Sequence, residues 1–192
     1  MIHIDQVDTR SLKAYSTHLK NLNPEDNRSR FGFVANSDAI DKLMLNIAYN
    51  PHDHKLWQAW DNEGILGWGH MAKMSDGKWE LAVSVEKEHQ RKGVGDRLIA
   101  EMLSWAKFHL IDEVFMHCIE DNKVIQHLAA KHDLKTIERG YGERTAAVEI
   151  PEPTFVESNN QLIKEQLAVL ADIAELRTKM FNLWMHPNKT LD

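Results

Sequence analysis

The sequence predicts an α+β fold with about seven strands, four helices and an extra long C-terminal helix. Two kinds of pattern predict it. Short runs such as "KLWQAWD" and "WELAVSV" lie between turn residues and have the composition of strands. Longer runs such as "LIAEMLSWA" repeat apolar residues at spacings of three and four, as amphipathic helices do. Because several strand runs follow one another with only short turns between them, we expect a largely antiparallel sheet.

The first quarter of the chain contains one strand and two helices. The strand "IHIDQV" alternates apolar and polar residues. Both helices, over "DTRSLKAYSTHLKNL" and "SDAIDKLMLNIAY", carry apolar residues on one face and end before a proline. The segment between them, "NPEDNRSRFGF", is polar with an aromatic end, and we expect it to be a connection.

The middle of the chain supplies the remaining elements. Three strands, "KLWQAWD", "GILGWGHMAKM" and "WELAVSV", are divided by turn signals and predict an antiparallel meander. The helix that begins at about Val94 has the strongest amphipathic pattern. After it come the strand "EVFMHCI", the helix "NKVIQHLAAKHDL" and a closing hairpin of "KTIER" and "RTAAVEI".

Pro151 and Pro153 mark a boundary between a first domain, residues 1–152, and a C-terminal extension, residues 153–192. Within the extension, residues 157–185 repeat apolar positions at alternating spacings of four and three. The resulting surface is too broad for a solvated helix, so we expect it to pack on the first domain or on a second copy of itself. The prolines at 151 and 153 and the helix-pairing spacing favour a homodimer. The two adjacent seams are Leu162, Gln166, Val169, Ile173, Leu176, Met180 and Leu183, and Ile163, Leu167, Leu170, Ala174, Arg177, Phe181 and Trp184.

The composition excludes several classes of protein. With 192 residues, 43% apolar and 27% charged, the chain resembles an ordinary globular protein. A net charge of −6 argues against general affinity for nucleic acid or anionic membranes. The N-terminus lacks the pattern of a secretory leader, no apolar run approaches the ~18 residues of a membrane span, and Cys118 is the single cysteine. We therefore expect a cytoplasmic protein that binds neither nucleic acid nor membranes.

The stretch "EHQRKGVGDRL" places two closely spaced glycines at the start of a predicted helix, which is typical of a phosphate-binding loop. The P-loop pattern GxxxxGK[ST] does not occur in the sequence. The dinucleotide pattern GxGxxG fails because Leu98 stands at the third glycine position. Gln90, Gly93 and Gly95 instead satisfy QxxGxG.

In this setting between a strand and a helix, QxxGxG resembles the pyrophosphate-binding motif of the GNAT acyltransferase superfamily. A second stretch, "NKVIQHLAAKHDL", is similar to the superfamily pattern NxxMxxLxxKxGF. It departs from that pattern at Asp133, where the family has glycine, and at Leu134, where it has phenylalanine. The order of elements up to about residue 150 also matches. The resemblance implies the GNAT fold, with a mixed and largely antiparallel sheet.

The resemblance further implies that the chain binds acetyl-CoA as a cosubstrate. The amino end of a helix presents unpaired N–H groups with positive partial charge, and glycines allow a pyrophosphate to approach them. In the family, the backbone of the fourth strand pairs with the pantetheine arm, and an asparagine contacts the cofactor near its thiol. That asparagine has the simpler role of a helix N-cap as an alternative. The matching residues are Val83, Val85, Gln90, Arg91, Lys92, Gly93, Val94, Gly95, Asp96 and Asn122.

Acyl transfer from a thioester to an amine needs a base, a donor to the oxyanion and protonation of the thiolate. Glu80 matches a glutamate that many family members use as the base, and His70 is the second candidate. Ala129 replaces the tyrosine that serves as acid in many members, which leaves Tyr141 or water for that role. Ser84 is disfavoured as a nucleophile because no neighbouring base is evident, although a backbone N–H near it is expected to stabilise the oxyanion.

The acceptor is expected to be an amine on a small molecule or a protein, and the sequence leaves its identity open. In GNAT folds, the acceptor site is lined by the segment between the first two helices and by the hairpin after the sixth strand. The matching side chains are Arg28, Arg30, Phe31, Tyr141 and Arg144. The eleven histidines lack the spacing of a known metal motif, so we expect no metal. A non-catalytic GNAT-fold module that binds CoA or another protein is the alternative function.

Overall fold

The computed structural model describes residues 1–140 and 143–153 and part of the C-terminal extension. For residues 138–140 and 143–144 it describes the backbone alone. Tyr141, in the predicted closing turn, lies outside the described residues, as does part of the predicted C-terminal helix. Beyond residue 153 the described residues are 162–163, 166–167, 169–170, 173–174, 176–181 and 185.

The first of two compact units, Met1–Pro151, is built on a seven-stranded sheet. Its strands are β1 (His3–Val7), β2 (His54–Asp61), β3 (Gly64–Lys73), β4 (Trp79–Val85), β5 (Glu113–Ile119), β6 (Lys135–Gly140) and β7 (Glu143–Glu149). The strand order is β1-β2-β3-β4-β5-β7-β6, and every neighbouring pair is antiparallel except β4 and β5. The predicted mixed, largely antiparallel sheet is confirmed.

Five α-helices occur among the residues described in this unit. They are α1 (Leu12–Asn21), α2 (Pro24–Phe31), α3 (Ser37–Tyr49), α4 (Val94–Phe108) and α5 (Lys123–Lys131). Four of them, all except α2, are predicted by the sequence. None of the helices in the described part of the chain has the length and apolar character that crossing a membrane requires.

The segment predicted to be a polar connection is a helix, α2, so that prediction is wrong. Asn23 caps the helix by accepting a hydrogen bond from the N–H group three residues later at 2.9 Å, and Pro24 occupies the first turn. Gly32 ends the helix with φ of 79°. The side chain of Asn27 is buried and hydrogen-bonds both backbone groups of Ala35. Capping and polar contacts stabilise α2, so an apolar periodicity does not reveal it.

Two apolar cores hold the helices on opposite faces of the sheet. Trp57 belongs to one core and its neighbour Leu56 to the other, because adjacent strand residues point to opposite faces. On the first face, α4 contributes Leu98, Ile99 and Met102, none of which retains exposed surface. Burying a large apolar side chain stabilises the fold by about 1.5–3 kcal/mol. The fully buried face of α4 therefore fixes the start of this helix relative to the end of β4.

The second unit, Glu152–Asp192, exposes apolar side chains over its described residues from 162 onward, which are helical. Residues 157–161 of the predicted helix, among others, lie outside the described part of the chain. Ten large apolar side chains are between 46% and 69% exposed. They are Leu162, Ile163, Leu167, Val169, Leu170, Ile173, Leu176, Met180, Phe181 and Met185.

Alanine at Gly67 is expected to destabilise the protein more than alanine at Gly69. A Cβ at Gly67 would lie 2.7 Å from the carbonyl oxygen of Ser84, which belongs to the paired backbone of β4. A Cβ at Gly69 would lie 2.9 Å from Sδ of Met102, the far part of a flexible side chain. Overpacking costs about 1–3 kcal/mol, so we expect a loss near the upper limit for Gly67→Ala and near the lower limit for Gly69→Ala. Urea unfolding measures both losses, and equal losses would contradict this account.

Candidate active site

β4 and β5 separate after two paired positions. Trp79 pairs with Val114 and Glu80 with Phe115, and no further pair joins these two fully described strands. Strands that part leave facing N–H and C=O groups without ladder partners. We call the gap along residues 81–85 of β4 the slot. Its closed end lies at Glu80.

The alternation along β4 determines which amide groups face the slot. The N–H of Glu86 donates to the carbonyl of Leu66, on β3, at 2.9 Å. Successive residues of a strand direct their amide groups to opposite edges, so Ser84 also faces β3. The N–H groups of Val83 and Val85 therefore face the slot. These are the two residues whose backbone is predicted to pair with pantetheine.

A loop with left-handed backbone joins β4 to α4 at the open end of the slot. Arg91 has φ of 60° and Gly93 has φ of 82°. Alternating left-handed and right-handed residues direct N–H groups toward a common centre, which forms an anion-binding nest. α4 begins at Val94, and Gly93 before it has no side chain to cap the first turn. We call residues 90–95 the phosphate loop, because the N–H groups that follow Gln90 and the helix dipole suit a phosphate.

The side chain of Gln90 holds the phosphate loop in place. Its Nε2 donates to Oδ2 of Asp26 on α2 at 3.1 Å and to the carbonyl of Val85 at 3.3 Å. Arg91 and Lys92 are exposed. Gln90 therefore has a structural role, and the two cations are the side chains of this loop that are accessible to a ligand.

Gly95 and Asp96 connect the start of α4 to α5. A Cβ at Gly95 would lie 3.4 Å from Cδ1 of Leu128, so the start of α4 lies within van der Waals reach of α5. The carboxylate of Asp96 contacts Nζ of Lys131 at 2.8 Å and Nε2 of His132 at 2.9 Å. The hydrogen bond from Lys131 lowers the pKa of Asp96 below its ordinary value. The carboxylate is thus occupied, and only the backbone N–H of Asp96 is available to a ligand.

Asn122 is the N-cap of α5. Its Oδ1 accepts a hydrogen bond from the N–H of Ile125 at 3.1 Å. Asn122 therefore has the helix-capping role that was the alternative for this residue, and its contact with a cofactor stays a prediction. Val94, another of the residues predicted to bind the cofactor, is 2% exposed, so only its backbone can contact a ligand.

A cavity of about 270 Å³ opens at the closed end of the slot. Glu80 lies in its wall, and among the described residues its carboxylate has no hydrogen bond or ion pair. The other polar and charged lining residues are Arg30, Asn46, His54, His70 and Lys73. We call it the His70 cavity.

A hydrogen-bonded chain forms the polar wall of the His70 cavity. Nη2 of Arg30 donates to the hydroxyl of Tyr15 at 3.1 Å and lies 3.3 Å from Nδ1 of His70. Because a guanidinium only donates, Nδ1 of His70 accepts, and we assign its proton to Nε2, which donates to Nδ1 of His54 at 3.0 Å. Both nitrogens of His70 are occupied, so this ring offers no free lone pair to a substrate.

Burial keeps His54 and His70, the two histidines of this hydrogen-bonded chain, neutral. It lowers the pKa of His70 well below the ordinary 6.5, and the charges of Arg30 and of His54 lower it further. Burial also lowers the pKa of His54. Arg30 is therefore the charged group of this hydrogen-bonded chain.

Within the described residues, no three His, Cys, Asp or Glu side chains are arranged to hold a metal ion.

Ser84 has a base beside it, so the expectation that it has none is wrong. Nε2 of His18, on α1, lies 2.8 Å from Oγ of Ser84, and Nδ1 lies 2.7 Å from Oε1 of Glu86. Burial lowers the pKa of His18, and the hydrogen bond with Glu86 opposes this shift. His18 and Ser84 are 66 residues apart, so only the tertiary fold brings them together.

The position of Ser84 favours a structural role for the hydrogen-bonded group of His18, Ser84 and Glu86. Ser84 lies four residues beyond Glu80, about 13 Å along an extended strand, on the side of the phosphate loop. Its side chain is 8% exposed and its hydroxyl is hydrogen-bonded to His18. Together with Glu86, the pair attaches α1 to the end of β4. We interpret this group as the contact that fixes α1 beside the slot.

The side chains predicted to meet an acceptor have different environments. Arg30 and Phe31 line the His70 cavity. Arg28 is exposed on α2 and does not line it. Tyr141 lies outside the described residues, and Arg144 is described by its backbone alone. Sequence reasoning missed His54 as a lining residue, because it belongs to no motif.

One protein family matches this chain. The model of the acetyltransferase (GNAT) family matches residues 19–133, which is more than half of the sequence. The chain belongs to the GNAT acetyltransferase family. The matched region includes the slot, the phosphate loop, Glu80 and Asn122.

Solved GNAT structures share this fold. The N-acetyltransferase of Staphylococcus aureus Mu50 is 13% identical, with a TM-score of 0.60 over 79% of this chain and 99% of its own. The spermidine N-acetyltransferase of Vibrio cholerae, in complex with CoA and spermine, is 15% identical, with a TM-score of 0.61 over 78% and 95%. The PaiA N-acetyltransferase of Thermoplasma acidophilum, in complex with coenzyme A, is 16% identical, with a TM-score of 0.60 over 78% and 99%. No curated protein sequence matches this GNAT protein.

This GNAT protein is expected to lose stability as the pH falls below about 6.5. The folded state lowers the pKa values of His18, His54 and His70, so between those values and 6.5 the unfolded state binds more protons. Their contribution is therefore complete above pH 6.5 and is lost as the pH falls toward the folded pKa values. Each histidine adds a slope of at most about 1.4 kcal/mol per pH unit. Urea unfolding between about pH 7.5 and 5 measures that slope.

A matched pair of variants tests whether the buried histidines cause the pH dependence of the unfolding free energy. His70→Asn removes one buried titrating group, so we expect a shallower dependence of unfolding free energy on pH. His52→Gln removes an exposed histidine outside the chain of hydrogen bonds and is expected to keep the wild-type slope. A wild-type stability that does not change with pH would refute the assignment.

Proposed function

We propose that this GNAT protein transfers an acetyl group from acetyl-CoA to a primary amine, by direct attack of the amine on the thioester. One observation carries the proposal. The phosphate loop lies at the open end of the slot, and Glu80 lies at its closed end, in the wall of the His70 cavity. A donor site and an acceptor site thus meet at one carboxylate.

The donor is expected to bind mainly through backbone groups. The N–H groups of the phosphate loop and of Asp96 suit the pyrophosphate, and Arg91 and Lys92 add accessible positive charge. The slot-facing groups of Val83 and Val85 suit the amides of the pantetheine arm, as a further strand would. Two structural relatives were solved with CoA. Each of these features supports acetyl-CoA as the donor.

In the proposed reaction, Glu80 accepts a proton from the ammonium group, directly or through water, so that the neutral amine attacks the carbonyl carbon. A slot-facing N–H of β4 stabilises the oxyanion. A carbon–nitrogen bond forms, the carbon–sulfur bond breaks, and CoA leaves as a thiolate. The thiolate takes up, through water, the proton that the attacking nitrogen releases on becoming an amide, and Glu80 releases the first proton to solvent. Ala129 is 3% exposed in the core and has no acidic group, so it does not replace the family tyrosine.

A non-catalytic GNAT-fold module is the second candidate function. Ala129 at the position of the family tyrosine and the exposed apolar side chains of the second unit favour it. Such a module would bind CoA or a protein partner without turnover. Binding and turnover therefore need separate measurements.

Replacing Glu80 with glutamine is expected to lower kcat by about 100-fold or more and to leave the affinity for acetyl-CoA unchanged. General bases contribute about 10²–10⁴-fold to rate, and the glutamine amide cannot accept the ammonium proton. Calorimetric titration measures the affinity for acetyl-CoA. Thiol release with a panel of primary amines measures turnover.

Glu63→Gln is the control, because Glu63 is an exposed carboxylate in the turn between β2 and β3. We expect it to retain wild-type turnover. If the wild-type protein does not bind acetyl-CoA, the donor assignment fails. If it binds acetyl-CoA but acetylates no amine, the non-catalytic function replaces this proposal.

We also propose that residues 1–152 form the acetyltransferase domain of a cytoplasmic enzyme, and that residues 153–192 make it a homodimer. Ten large apolar side chains of the described C-terminal residues are at least 46% exposed. Apolar surface of this extent favours a partner, and the seam spacing suits a second helix of the same kind. A symmetric pair would cover both copies at once.

A charge in one seam is expected to dissociate the dimer. Leu176→Glu introduces a carboxylate where the second helix is proposed to pack, whereas Thr178→Glu introduces the same charge outside both seams. Light scattering is expected to give twice the 22.2 kDa chain mass for the wild type and Thr178→Glu, and the chain mass for Leu176→Glu. A monomeric wild-type protein would contradict the proposal.

A further inference from the structure

Arg30 is a cation without a counter-ion in the wall of the His70 cavity. Its Nη2 uses neutral partners, the hydroxyl of Tyr15 and Nδ1 of His70. Its Nε is buried and has no hydrogen-bond partner. Over the described part of the chain, no carboxylate oxygen lies within 4.0 Å of the guanidinium. The positive charge is therefore fixed in place but not neutralised.

An unpaired charge that is partly removed from water is costly unless a partner compensates it. Arg30 lies in the last turn of α2, where the helix dipole is favourable, and its Cζ lies 5.0 Å from the centre of the Phe31 ring. These contacts are weaker than an ion pair with a carboxylate, which a guanidinium binds through two parallel hydrogen bonds. The cavity thus retains the capacity to bind an anionic group.

The cavity also limits the size and charge of its ligand. Its charged lining residues are the cations Arg30 and Lys73 and the anion Glu80. A volume of about 270 Å³ lies just below the usual range for small-molecule sites. Two cations disfavour a polyamine, whereas separate positive and negative groups suit a small zwitterion.

We propose that the acceptor is a small amine that also carries a carboxylate, with its amine at Glu80 and its carboxylate at Arg30. This inference rests on the proposed acetyl transfer and specifies its substrate class. Acceptors of the amino-acid type satisfy both ends of the cavity. Spermine, which is bound in the Vibrio cholerae relative, satisfies only one end and is expected to be a poor acceptor here.

The test compares amino acids with the amines that remain when their carboxylate is removed. Suitable pairs are alanine and ethylamine, phenylalanine and phenethylamine, and lysine and cadaverine, with spermine as a separate acceptor. Hydrogen bonds between charged groups are strong enough to predict a preference of roughly 10–100-fold in kcat/KM for the carboxylate-bearing member. Thiol release from acetyl-CoA measures each rate. Equal rates within the pairs, or a preference for spermine, would overturn the inference.

Two arginines on α2 provide the matched variants. Arg30→Met removes the cation from the cavity and is expected to abolish the preference, mainly by raising KM for the amino acids. Arg28→Met removes an exposed cation that does not line the cavity and is expected to keep the preference. If Arg30→Met retains the preference, Arg30 is a structural residue and the inference fails. If Arg30→Met does not fold, Arg30→Lys, which keeps the charge but not the paired donors, is expected to show an intermediate preference, and full preference would refute the role.

Binding separates this inference from the proposed function. Calorimetric titration of the same pairs into the CoA-loaded protein needs no turnover. Tighter binding of the carboxylate-bearing members, lost in Arg30→Met, would support the inference even if no acetylation occurs and the proposed function fails. If the carboxylate-bearing amines are neither bound nor acetylated, the inference is refuted.

Discussion

The separation of β4 from β5 is the constraint on which the rest of this structure depends. Each strand has a full-length partner on its other edge, because all seven residues of β4 pair with β3 and all seven of β5 pair with β7. The two strands share only two paired positions. An unsatisfied buried amide costs about 1–3 kcal/mol, so an open gap in a sheet is stable only when the outer ladders hold both walls. Here they do, and the gap becomes a site that requires hydrogen-bonding partners.

The alternation of β4 gives its two faces different tasks. Leu81, Val83 and Val85 belong to the apolar core that includes α4. Glu80 and Ser84 point to the opposite face, where the neighbouring groups are histidines and an arginine. The two histidines of the His70 cavity are kept in neutral, hydrogen-bonded arrangements, beside the charged groups Arg30, Lys73 and Glu80. β4 therefore packs into the apolar core on one face and lines the His70 cavity on the other.

Local patterns in the sequence predict the strands, four of the helices and the phosphate loop, because these elements depend on periodicities of two and 3.6 residues and on glycines near a helix start. They also predict that Glu80 lies at the start of the fourth strand, which begins at Trp79. They do not predict α2, which is stabilised by Asn23, Gly32 and contacts of Asn27 instead of an apolar stripe.

The polar network lies beyond such patterns for a different reason. Arg30 and His70 are 40 residues apart, and His18 and Ser84 are 66 apart. Their hydrogen bonds exist only once α1, α2 and the meander have packed, so no spacing in the sequence encodes them. The unpaired charge of Arg30 is equally invisible, since it follows from which carboxylates the fold keeps at a distance.

The ion pairs of Asp96 also affect the electrostatic potential at the phosphate loop. A carboxylate in the first turn of a helix stabilises that turn, but it repels an incoming phosphate and competes for the positive end of the helix. Lys131 and His132 hold this carboxylate at 2.8 and 2.9 Å. Lys131 cancels its charge, and Nε2 of His132 occupies its other oxygen. The turn is thereby stabilised by an anion whose field is neutralised from α5, so the positive potential of the helix end is available to a ligand phosphate.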